Sequence, residues 1–141
     1  WTIGNSTVQN PFGYLHRFHH VLDWTLIEGE WFSSFGEDAK RLVAFLPQST
    51  GSGIIKRATR EIASRYPEIG GMMRLLVHDS IILEVPEDGA DEIARIVAGV
   101  MNEPIPELPL DPVWGFGDHV TIGVEVKKGR RWSEMVEILK L

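Results

Sequence analysis

The sequence predicts an α+β fold, an antiparallel sheet with helices packed on one face. Three observations predict it. Residues 38–66 and 86–101 carry apolar side chains at helical spacing. Strand-like segments lie before, between and after these two stretches rather than in strict alternation with them. Between the helical stretches, Met72–Val77 and Ile81–Val85 flank only His78-Asp79-Ser80, the spacing of a tight hairpin and so of antiparallel pairing.

Each element has its own warrant. Residues 1–34 are rich in aromatics and β-formers, with Asn10-Pro11-Phe12-Gly13 as an early turn and Tyr14 to Thr25 extended, an N-terminal segment leading into the main domain at 35–141. Asp38 is placed to cap a helix whose stripe is Leu42, Val43, Phe45 and Leu46. Pro47 should kink or interrupt that helix, and Ser49-Thr50-Gly51-Ser52-Gly53 reads as flexible. Ile54, Ile55, Ala58 and Ile62 then continue a helical face to Tyr66, with Lys56, Arg57, Arg60 and Arg65 on its polar side. Pro67 and Gly70-Gly71 stop it. After the hairpin, Pro86-Glu87-Asp88 opens a helix with acids in its first turn, favourable to its dipole. Its apolar face is Ala90, Ile93, Ala94, Val97, Val100 and Met101. Residues 103–118 hold four prolines and read as a loop. Val120–Val126 reads as a strand, Lys127–Arg131 as a basic turn, and Trp132–Leu139 as a short closing helix.

Composition sets the limits. A chain of 141 residues with 43% apolar content, five Trp and six Phe supports one packed domain and excludes a disordered chain. No run approaches the roughly 20 apolar residues of a membrane helix, which predicts no membrane partner. The absence of cysteine excludes disulfides and thiolate metal sites and fits an intracellular, cytoplasmic protein. A net charge of −6 does not favour nucleic-acid binding in bulk, so any such contact needs a local basic patch. The chain opens on Trp1 rather than Met, which predicts a piece of something longer.

The chemistry concentrates at Asp79. A carboxylate between two apolar runs needs a cation or donors to offset its desolvation. The structural reading is a turn residue bonded to its own backbone. The functional reading is a carboxylate held rigidly by a sheet for use. Glu84 is a second carboxylate nearby, but its odd spacing from Asp79 puts it on the other face unless the turn reverses that. His16, His19 and His20 lack a His-Glu-x-x-His pattern or an adjacent third ligand, and read as solvated or DNA-facing. Trp24, Trp31 and Phe32 read as packing residues, with base stacking as the alternative.

Taken together, these residues resemble DNA polymerase family A, the bacterial polymerase I and phage replicase group. His78-Asp79, after one aliphatic strand and before another that ends in Glu84-Val85, resembles its motif C. Pro47 to Lys56 resembles the family's Gln-Gly-Thr-Ala-Ala-Asp-Ile-Ile-Lys helix, and Val124 to Trp132 its C-terminal strand, Gly and Trp. The resemblance covers roughly residues 38–135 and implies a partial polymerase palm subdomain. It implies that Asp79 is the catalytic residue and metal ligand for Mg2+ or Mn2+, one of the carboxylates of two-metal nucleotidyl transfer. It implies that His78 lies near the primer terminus and that Gln48 reads the minor groove of primer–template DNA, whose acceptors are common to all pairs. Lys40, Lys56 and Arg57 complete the expected DNA contacts.

The sequence departs from the pattern where Ser80 stands for the commoner Glu, Ala44 for Asn, Lys40 for Arg and Gly53 for Asp. Lys40 neutralises phosphate but lacks the guanidinium fork. The motif A Asp and the fingers helix that holds the dNTP are missing from these residues. The implied partners are therefore the segments that carry those parts, and the fragment alone is expected to be inactive. The edge left free where motif A's strand pairs predicts self-association of the fragment. Bacterial or phage-infected host cytoplasm is the implied location. The competing reading is a non-catalytic α+β module that binds nucleic acid or protein through the 54–66 helix.

Overall fold

The structure, a computed structural model, describes residues 6–141; residues 1–5 of the expected N-terminal segment lie outside the described residues. It is α+β, and its strands are antiparallel throughout, but they pair two by two into five ribbons. Two compact units divide within one long helix, the first up to Gly53 and the second from Ile54 to Leu141.

In the first unit, β1 (Ser6–Gln9) pairs with β2 (Leu15–Phe18). Their connection is built by Asn10, which is buried and whose Oδ1 accepts the N–H of Phe12 at 3.0 Å and of Tyr14 at 2.9 Å. This Asx geometry is why an Asn-Pro-Phe-Gly run turns here. β3 (Leu22–Ile27) pairs with β4 (Glu30–Phe35) across Glu28-Gly29, both at positive φ, as a type I′ turn requires. Trp24, Trp31 and Phe32 stand exposed on this ribbon, so the packing expected of them is not found within the described residues.

Helix α1 runs unbroken from Ala39 to Arg65 with Pro47 inside it, a correction to the expected interruption. Proline forfeits one interior hydrogen bond, and the turns on either side supply enough others to carry the helix through. The Gly51–Gly53 run is helical as well. Gly53 is buried because its missing side chain leaves room for the Phe12 ring.

The second unit holds the main core. Ile62, Ile69, Val97 and Val100 are buried together, with Tyr66, Met73, Ile81, Leu83 and Met101 packed against them. They come from the last turns of α1, from the short α2 (Pro67–Gly70), from the hairpin β5 (Met73–Val77) and β6 (Ser80–Leu83), and from α3 (Ala90–Asn102). Each fully buried aliphatic side chain contributes about 1.5–3 kcal/mol, and this cluster fixes the hairpin to the helices.

The C-terminal part corrects three expectations. The proline loop contains β7 (Ile105–Pro109), paired with β8 (His119–Val120); prolines are tolerated because the ribbon is all edge. The strand expected over Val120–Val126 is split, and β9 is Glu125–Lys128. The closing helix is instead a 3-10 turn at Trp132–Glu134 followed by β10 (Val136–Lys140), which pairs with β9. Alternating Val136, Ile138 and Lys140 gain more from a partner strand across the basic turn than from a short helix with nothing to pack on. No helix among the described residues is long and apolar enough to cross a membrane.

Candidate functional site

The hairpin β5–β6 places His78 and Asp79 at its apex, with Val77 and Ser80 as the closing pair. His78 adopts φ 54°, the left-handed region, which costs a residue with a side chain about 1 kcal/mol. The ribbon sustains this because Met73, Ile81 and Leu83 anchor it in the core. His78 and Asp79 are both exposed. Among the described residues, Asp79 Oδ1 meets only the Ser80 hydroxyl, at 3.5 Å. Among the described residues no main-chain amide claims the carboxylate, so the self-bonded turn reading is not what the structure displays.

Glu84 is already committed. Its Oε2 accepts Arg74 Nε at 3.0 Å, and Arg74 also donates to the Gly71 carbonyl at 2.8 Å. Among the described residues no three His, Asp or Glu side chains gather to hold a metal ion. What the hairpin offers a hard divalent cation is one unclaimed carboxylate, the ligand type Mg2+ prefers. It fits as one donor of a larger set.

The other expected contacts separate into two places. Lys40, Ala44 and Gln48 follow one another at four-residue intervals along one face of α1. With His16 and Phe18 of β2, and with Arg41 and Phe45, they line a groove of about 440 Å³. Among the described residues its lining contains no acid. Ala44, where the resemblance led one to expect Asn, gives that floor a small apolar side chain. The acid at the head of α1, Asp38, is occupied. Its Oδ2 accepts the backbone N–H of His19 at 3.1 Å and of His20 at 3.4 Å, and its Oδ1 accepts Arg41 at 2.7 Å. The His19 N–H is the largest cause holding the Asp38 carboxyl below its ordinary 3.8; burial opposes it, and His20 and Arg41 add to it. Asp38 thus stands at the N-cap position by its backbone, its carbonyl accepting Leu42 N–H, while its side chain ties the end of β2.

In the second unit several cations are matched by acids. Arg57, expected on the DNA-facing side, is only 12% exposed in its side chain and lies 3.4 Å from Glu107 of β7. Arg65 grips Glu103 through two bonds of 2.6 and 2.7 Å, which raises the guanidinium's affinity for its proton and lowers that of Glu103. In the basic turn, Lys128 donates to Asp91 at 2.8 Å and Arg130 to Glu87 at 2.9 Å. Lys56 is exposed. Sequence reading missed Arg41 as a groove residue and Asp38 as an anchor, because Asp38 acts through His19 and His20 just after β2 and Arg41 lines a groove shared with β2, neither of which local spacing reveals. His16 was visible only as one of three clustered histidines.

Residues 34–134 match the description "DNA polymerase family A". The thermostable DNA polymerase I of Thermus filiformis is 36% identical over 102 residues, which is 72% of this chain and 11% of that protein. DNA polymerase I of Deinococcus radiodurans is 32% identical over 99 residues, 70% of this chain and 9% of that protein. DNA polymerase theta of Caenorhabditis elegans is 26% identical over 107 residues, 73% of this chain and 6% of that protein. The chain therefore spans about a tenth of the length of the curated relatives it matches. No solved structure matches it significantly.

Proposed function

The chain belongs to DNA polymerase family A, and from that membership we propose that it is the C-terminal palm portion of a DNA-directed DNA polymerase. In this reading residues 35–141 are the palm portion with the motif C hairpin, and 1–34 lead into it. Asp79 holds a divalent ion, Mg2+ or Mn2+, as one carboxylate of a two-metal site. The ions, when bound, neutralise charge developing on the attacking and leaving oxygens of phosphoryl transfer.

The chain's own residues position and grip. The rigid hairpin presents the Asp79 carboxylate in one place, which lowers the entropy lost on coordination. His78 offers a hydrogen-bond donor to the primer end. Gln48 reads acceptors that every base pair presents in the minor groove, and Lys40 neutralises phosphate beside it. Lys56 adds charge on the exposed side of α1. Arg57, covered and facing Glu107, serves the packing of β7 on α1 rather than reaching phosphate.

The short span relative to the relatives supports the remaining part of the proposal. The motif A carboxylate and the fingers that hold the dNTP come from polymerase segments beyond these residues, and one carboxylate alone does not sustain turnover. The enzyme so assembled acts on replicating DNA in a bacterial or phage-infected cytoplasm.

One observation carries this reading: an exposed Asp79 carboxylate that no main-chain amide of the described residues occupies, beside a histidine held at positive φ. The test is Mn2+ titration of the chain followed by paramagnetic broadening of amide signals. Signals of residues 77–81 should broaden first, and Asp79→Asn should abolish that preference. In the longer polymerase the same change should lower kcat by at least about 10²-fold. Mn2+ broadening that ignores the hairpin, or robust primer extension by the 141-residue chain alone, would overturn it.

A further inference from the structure

The groove of the first unit holds a histidine the proposed function has not used. His16 sits in its lining with Lys40, Arg41 and Gln48. Its exposed ring lies against aromatic neighbours, 4.5 Å from the ring of buried Phe18 and 5.4 Å from that of Phe45. Among the described residues its nitrogens have no hydrogen-bond or acidic partner. An imidazole oriented by packing yet with its donors unspent is available to a ligand.

We infer that His16 is a phosphate contact of this groove and that its protonation strengthens the grip on duplex DNA. The inference rests on the reading of Lys40 and Gln48 as duplex contacts. The charges that line the groove with His16 are the cations of Lys40 and Arg41 from α1, while Arg17, the next residue on β2, falls on the alternate face of the strand. On β1, the paired residue Val8 and its neighbours Thr7 and Gln9 carry no charge. Asp38, the acid at the foot of α1, is bonded to His19, His20 and Arg41. A bound phosphodiester attracts a positive charge on the imidazole, so binding and proton uptake favour each other.

The sign follows. Histidine is the side chain that gains its charge between about pH 8 and pH 5. Duplex affinity is therefore highest on the acid side of that window and falls as pH rises through it. This contact recognises a phosphate anion by charge and by an N–H donor, and the partner to which it is assigned is the duplex backbone, not a free polyphosphate.

The experiment is fluorescence anisotropy of a labelled primer–template duplex with the full chain, at pH 5.5 and 8.0 over a range of salt. Wild type should bind roughly 3–10-fold more tightly at pH 5.5, the equivalent of a half to one unit of proton linkage. Its salt slope should steepen by about 0.9 at the lower pH, as one more phosphate is neutralised. His16→Gln should lose most of both changes, any remainder belonging to His78 at the primer end, and His16→Arg should bind tightly at both values. A pH dependence undiminished in His16→Gln overturns the inference for His16. Lys40→Ala and Gln48→Ala with undiminished affinity overturn the duplex reading of the groove itself. Inorganic pyrophosphate that displaces the duplex at micromolar concentration, and does so less well with His16→Gln, assigns the contact to free polyphosphate and overturns the duplex assignment.

Discussion

The carboxylate of Asp38 accepts the backbone N–H of His19 at 3.1 Å, so the residue that opens α1 also fixes the end of β2. This bond sets the strand carrying His16 against the helix carrying Lys40 and Gln48, and so gives the groove its shape. Folding depresses the Asp38 pKa. A depressed carboxyl stabilises the fold at pH values above its unfolded pKa, near 3.8, and that contribution is lost as pH falls through the lower folded value. Asp38→Asn should therefore lower the melting temperature near neutrality, and the deficit relative to wild type should shrink below about pH 4. Paired thermal melts across pH 2.5–7 measure that difference, in which the other carboxylates cancel. A deficit that is constant over this range would show that the charge of Asp38 is not what binds the strand.

Gly53 is buried against Phe12. A β-carbon there would stand 2.6 Å from Phe12 Cγ and 2.8 Å from Cε2, so this departure from the family's Asp is explained by the turn that carries the phenyl ring. Gly53→Asp should destabilise the protein by about 1–3 kcal/mol through overpacking. Phe12→Ala made in the Gly53→Asp background should cost much less than the same change made in wild type, because the two side chains compete for one space. Urea denaturation of the four proteins checks this; additive losses would contradict it.

His78 holds a left-handed backbone with a side chain attached. His78→Gly should leave stability equal or slightly higher, since glycine adopts that conformation without steric cost. His78→Val should lower it by about 1 kcal/mol or more, because a β-branched side chain tolerates positive φ poorly. If His78 contacts the primer end, His78→Gly should still weaken primer–template binding by the longer enzyme. Chemical denaturation and binding isotherms on the same variants separate the backbone effect from the side-chain effect.

Ile62 is completely buried at the centre of the second unit. Ile62→Ala removes three carbons from a packed site and should cost about 2–5 kcal/mol. The same change should loosen the hairpin apex, because Ile62 packs in the cluster that anchors β5 and β6. Hydrogen exchange at Leu76, Val77 and Ile81 should quicken along with global unfolding. Protection unchanged in the hairpin while the helices destabilise would show that the two are not one cooperative unit.

The hairpin was legible because its evidence is local. Two apolar runs around a short polar break leave few arrangements besides a tight turn, and the break then puts His78 and Asp79 at its tip. The apolar face of the second half of α1 and that of α3 were legible for the same reason, since side chains at i, i+3 and i+4 share a face wherever the helix is placed. Lys40 and Gln48 shared one face of α1 on the same periodicity, although Pro47 argued against a continuous helix between them.

What the sequence by itself determined is therefore the α+β class, the carboxylate at the hairpin tip and the helical faces, all properties of side-chain direction over a few residues. Tertiary structure alone decided that Arg57 faces Glu107, that Asp38 anchors β2, that His16 enters the groove of Lys40 and Gln48, and that the last segment is a strand paired with β9. Each of these depends on a partner distant in the chain. Such pairings are chosen by the free energy of packing and charge matching in the assembled fold, and no local periodicity encodes that choice.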